Sequence, residues 1–102
     1  VYETEDRNPG GFYRFIPNQP GNLAAGGTLQ VLVVSGRPAY DTRAGQTVGQ
    51  VLAAEWVTIP NPDSDLPSIS SGFVFNQIAA AARFSRLEGC WWADDSVYFN
   101  AT

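Results

Sequence analysis

One hundred and two residues suffice for one small domain with its own core, and not for two. Ten acidic residues against six arginines, with no lysine, give a net charge of -4, which argues against a nucleic-acid partner because that needs a basic face. There is no histidine and one cysteine, Cys90, so the chain alone builds no internal disulfide, histidine-based zinc site, Ser-His-Asp triad or Cys-His dyad.

Hydrophobic residues make up 44% and aromatics 13%, a composition that folds rather than stays disordered. Ten glycines and seven prolines favour many short strands over long helices. No apolar run is long enough to span a membrane, and no signal peptide is visible. The chain begins at Val1 and contains no methionine, which is expected of a piece cut from a longer protein.

In chain order, Val1–Asp6 alternates as a strand does, with Glu3 and Glu5 on one face. Asn8-Pro9-Gly10-Gly11 is a turn, and Phe12–Ile16 is a second strand that pairs with the first. That pairing brings Glu3 and Glu5 near the aromatic strand and makes Arg14 a candidate neutralising partner. Asn18–Gly27 reads as loop. Thr28–Val34 is the clearest strand, apolar enough after Gln30 to be buried on both faces. Thr47–Glu55 fits a short helix that Gly49 weakens, and Glu55–Ile59 reads as a strand closed by Pro60. The Asp63-Ser64-Asp65 loop has two acids but lacks the rest of a calcium loop. Gly72–Arg83 carries an alanine run and helical spacing, predicting one packing helix near 72–84 with Ser70 or Ser71 as its cap.

The last stretch concentrates the chemistry. If Phe84–Gly89 is extended, Arg86 and Glu88 project to one side and Leu87 to the other, until Gly89 ends the alternation. Trp91-Trp92, an Ala93-Asp94-Asp95 turn and Ser96–Phe99 read as a hairpin. A guanidinium and a carboxylate side by side can bind an anion and a metal, or can be an ordinary ion pair. Thr4-Glu5-Asp6-Arg7 and Arg86-Leu87-Glu88-Gly89 each place a glutamate near an arginine at a strand end, and such ends are where sites are assembled from separate strands.

Taken in order, Thr4-Glu5-Asp6-Arg7, Gly11-Phe12-Tyr13-Arg14-Phe15, Gly27-Thr28-Leu29, Trp56-Val57, Phe84–Cys90 and Val97-Tyr98-Phe99 resemble the PhoX-type alkaline phosphatases over nearly the whole chain. The resemblance implies a mainly β fold. The chain would be a single partial domain, 1–102, supplying one to two antiparallel blades of a larger β-propeller whose remaining blades are its partners. It also implies hydrolysis of phosphate monoesters by an exported, periplasmic or secreted, bacterial enzyme that uses calcium and iron. On this resemblance Glu5 and Glu88 are metal-ligating carboxylates and Arg86 contacts the substrate phosphate. Hard cations take carboxylate oxygens, and a planar guanidinium binds phosphate oxygens in pairs. The family's iron-binding cysteine is not matched here; Cys90 reads as a packing residue, since free cysteine is often buried. Alone, such a piece would be inactive. Two other readings stand beside it: a non-catalytic propeller module whose Trp91, Trp92 and Tyr98 bind carbohydrate, and a small β domain with no site.

Overall fold

The computed structural model describes residues 1–102, and its regular structure is almost entirely strand. Tyr2–Thr4 (β1) folds back antiparallel onto Phe12–Pro17 (β2), with Glu3 opposite Tyr13 and Thr4 opposite Phe12. β2 pairs with Gly27–Val34 (β3), and β3 with Ala54–Thr58 (β4), giving a four-stranded antiparallel sheet in the order β1-β2-β3-β4. Leu87–Ala93 (β5) and Ser96–Ala101 (β6) form a separate hairpin. Its two-residue turn, Asp94-Asp95, has φ of 50° and 57°, the double left-handed turn whose twist matches that of paired strands.

Successive strand residues point to opposite faces, so neighbours Phe12 and Tyr13 seed two different cores. On one face Phe12 joins Val34, Ala82, Phe84 and Leu87, with Trp56, Val97 and Phe99 packed against them. The hairpin docks here: the Phe12 ring lies 4.2 Å from Phe99 and 5.8 Å from Trp56, centroid to centroid. On the other face Tyr13, Val31, Ile59, Phe75 and Ala81 form the second cluster. β3 is therefore covered on both sides, as its apolar run implied.

The packing helix expected near 72–84 does not form. Only Val74–Gln77 make a single 3₁₀ turn, with extended backbone at Phe73 and Ile78 on either side. Intrinsic propensity loses here to tertiary bonding. Ala82 N–H donates to Leu32 O at 3.0 Å and Ala80 O accepts from Ala39 N–H at 3.1 Å, so the alanine run spends its backbone groups on other segments. The Gln77 amide adds bonds to Asn61 and to Gly72 O, pinning the segment as a strap. Ser70 Oγ accepts from Gly72 N–H in a local turn and caps no helix. Thr47–Ala53 is likewise not helical, with Val48 and Val51 exposed.

The long β3–β4 connection is tied back by Arg43. It grips Asp41 with Nε at 2.8 Å and Nη2 at 2.7 Å, and reaches Asn8 Oδ1 with Nη1 at 2.9 Å. These charged hydrogen bonds from Arg43 hold the Asp41 carboxyl well below the usual aspartate range. A depressed carboxyl contributes its stabilisation above the unfolded-state pKa and loses it as pH falls through the folded one. Carbon-detected NMR should find Asp41 still ionised below pH 3.8, its ordinary value, and Arg43→Ala should return it to that value. Phe12→Ala, which empties the contact between sheet and hairpin, should cost about 3–5 kcal/mol in denaturant unfolding of the full-length protein. A loss under about 1 kcal/mol, the ordinary scale of a point change, would mean that Phe12 does not hold the hairpin.

Candidate active site

Four backbone hydrogen bonds stitch the turn after β1 to the segment before β5. Gly10 and Phe84 exchange both of theirs, at 2.9 and 3.0 Å; Arg86 N–H donates to Arg7 O at 2.8 Å, and Leu87 N–H to Glu5 O at 3.2 Å. Gly10 is needed at this seam, because a Cβ there would stand 2.8 Å from Glu5 O and 3.0 Å from Arg7 O. The two acidic-basic motifs thus lie side by side on one edge of the molecule. Their side chains then take different directions.

Glu5 turns inward. Its Oε2 accepts Gly11 N–H at 2.8 Å and the Tyr13 hydroxyl at 2.9 Å, while Oε1 stands 3.6 Å from Arg7 Nη1. Burial, then the negative charge and hydrogen bond of Glu5, push the Tyr13 phenol far above its usual pKa, so it remains a neutral donor through the alkaline range. Gly11 makes the arrangement possible: a Cβ at that position would lie 2.8 Å from the Tyr13 hydroxyl. Arg7 stacks on the Phe73 ring at 4.6 Å, and its Nη1 is buried with no hydrogen-bond partner. Arg14, the expected neutralising partner, instead bonds Gln30 and covers the Trp56 ring.

Arg86 points outward. Its Nε donates to Asp6 Oδ1 at 3.0 Å, an exposed pair linking the two motifs. That hydrogen bond, then the charges of Asp6 and Glu88, raise the Arg86 pKa and keep it cationic. The extended geometry expected for Arg86 is not found: its φ is +47°, a left-handed conformation uncommon outside glycine, and β5 begins only at Leu87. Strained non-glycine backbone of this kind concentrates at functional sites. Leu87 is buried and Glu88 exposed, as the alternation required. Gly89, at φ +57°, is the bulge that shifts register between Glu88 and Cys90. Its nearest potential Cβ neighbours are 3.7 Å away, so backbone angle rather than close approach demands glycine.

An open cleft of ≈ 340 Å³ lies at this edge, lined in part by Glu3, Thr4, Glu5, Tyr13, Phe73 and Val74. A larger groove of ≈ 490 Å³ runs past Pro60–Ser64, with Asp63 as its charged lining residue and none of the motif side chains. The carboxylates of the motifs suit a hard cation in kind. In number they fall short of a cage, since no three His, Cys, Asp or Glu side chains stand together. Asp63 and Asp65 add no such cluster. Cys90 is exposed, which corrects its reading as a packing residue: the bulge at Gly89 sets the register and leaves the thiol outside the core. Tyr13, Gly11, Asp6 and Arg7 stood in the quoted motifs but were given no site role from the sequence. The legible signal was Gly11 two residues before Tyr13, same-face positions where a missing side chain makes room for the phenol.

Neither the curated proteins nor the solved structures include a match. The family model described as Alkaline phosphatase PhoX matches residues 1–102, from before the Glu5 turn to beyond the β5–β6 hairpin. This chain belongs to the PhoX alkaline phosphatase family.

Proposed function

We propose that this chain supplies one side of the active site of a calcium- and iron-dependent phosphatase acting on phosphate monoesters. Glu5 and Glu88 are its carboxylate metal ligands and Arg86 is its phosphate contact. The observation that carries this reading is the seam that brings the Glu5 and Arg86–Glu88 motifs to one edge, in a chain that matches the phosphatase family throughout. A four-stranded antiparallel sheet with its strands in sequence order supports reading this segment as a propeller blade. In this reading residues 1–102 are a partial domain of a larger propeller, whose other blades complete the ligand set, in a periplasmic or secreted protein.

Bound at this edge, the metals would supply the positive charge that offsets the phosphate's own. The chain's residues do the rest. Arg86 holds Asp6 through Nε, which leaves Nη1 and Nη2 to take two phosphate oxygens in parallel. Because its charge persists at alkaline pH, the contact strengthens as negative charge gathers on the phosphoryl oxygens. Asp6 fixes the guanidinium's plane from the opposite motif.

A second reading has its own observation: Trp91 and Tyr98 are half exposed and their rings stack 5.8 Å apart at 16°, a flat surface that suits a sugar face. Calorimetry with neutral oligosaccharides separates the two, since only the carbohydrate reading predicts heat of binding that Trp91→Ala abolishes.

Kinetics of the full-length protein on p-nitrophenyl phosphate test the phosphatase reading. Glu88→Gln should cut kcat by about a hundredfold or more, at least the loss that follows disruption of a metal ligand's supporting contacts, with folding unchanged. Turnover near wild type would remove Glu88 from the site. Arg86→Ala should lower kcat/KM by about a hundredfold, the scale of one lost charge-stabilising donor. Unchanged kinetics would count against its assignment.

A further inference from the structure

The geometry points to Tyr13 as a positioning residue that aims the Glu5 carboxylate, an inference that rests on the reading of Glu5 as a metal ligand. Both strong donors to Glu5, the Gly11 amide and the Tyr13 hydroxyl, end on the same oxygen, Oε2, at 2.8 and 2.9 Å. A carboxylate held by two donors on one oxygen is fixed in rotation and left with the other oxygen to offer. The other, Oε1, takes no hydrogen bond and is ion-paired with Arg7 Nη1 at 3.6 Å. Tyr13 is itself immobile: it is 6% exposed and packed among Val31, Ile59, Phe75 and Ala81. It sits on β2, directly opposite Glu3 of β1, so the sheet places the hydroxyl rather than a loop. Gly11 is held to glycine by the same hydroxyl, which would meet an added Cβ at 2.8 Å. Three features of the chain therefore serve one carboxylate orientation. A residue that anchors a metal ligand in this way acts on metal affinity without touching metal or substrate.

The test is calorimetric titration of calcium into the metal-stripped full-length protein, with melting temperature measured in parallel. Tyr13→Phe removes one oxygen and keeps the ring's contacts. It should weaken calcium binding about tenfold to a hundredfold, the range found for such supporting groups, and lower kcat on p-nitrophenyl phosphate more than it changes KM. In a Glu5→Gln background the same change should do nothing further to calcium affinity, because its effect runs through Glu5. If Glu5→Gln weakens calcium binding and Tyr13→Phe does not, Tyr13 has no positioning role while Glu5 remains a ligand. If Glu5→Gln leaves calcium affinity unchanged, the ligand reading fails and this inference fails with it. Should Tyr13→Phe not fold, 4-fluorophenylalanine at position 13 fills the hydroxyl's place with a fluorine that cannot donate; calcium affinity identical to wild type would then overturn the proposal.

Discussion

The backbone seam between residues 5–10 and 84–87 is the constraint on which the rest of the structure depends. Its four hydrogen bonds join parts of the chain nearly eighty residues apart, and every residue in the candidate site is attached to one side or the other. Closing so long a loop carries an entropic cost that four hydrogen bonds alone do not offset. Burial on both sides of the seam does so. Phe84 and Leu87 enter the Phe12 core from one segment, while Glu5 is anchored through Gly11 to the strand that carries Phe12 and Tyr13. Packing holds the seam closed, and the seam in turn sets the spacing of the charged groups.

Those charged groups divide by environment. Glu5 is drawn inward by two neutral donors and has Arg7 nearby, whereas Arg86, Asp6 and Glu88 remain in solvent. An exposed pair such as Asp6–Arg86 adds little to stability. Its consequence is orientation, since it keeps a guanidinium on a left-handed backbone turned along the edge shared by both motifs.

The strands were legible in the sequence from alternation, apolar and aromatic runs and the turn residues that bound them: Tyr2–Thr4, Phe12–Pro17, Gly27–Val34, Ala54–Thr58 and the final hairpin all fell within or beside their expected segments. The double coverage of β3 was legible for a similar reason, as the unbroken apolar run from Val31 to Val34 leaves no solvent face. The segment after Gly72 was misread because alanine propensity is a local quantity, and Ala80 and Ala82 bond to Ala39 and Leu32 across the fold. The motifs marked the two segments that the seam joins, but not the directions that Glu5 and Arg86 take. Arg86 breaks the strand alternation with a positive φ, and Glu5 is claimed by a tyrosine whose reach depends on the absent side chain of Gly11. Such relations are set by three-dimensional contact and leave little trace in one sequence.

The central claim is that this edge belongs to a metal-dependent phosphatase site. Its most direct test is p-nitrophenyl phosphate hydrolysis by the full-length protein as purified, after chelation, and after calcium is restored. The account predicts turnover that disappears with the metal and returns with calcium. Turnover indifferent to chelation, or none in any of the three states, would contradict it.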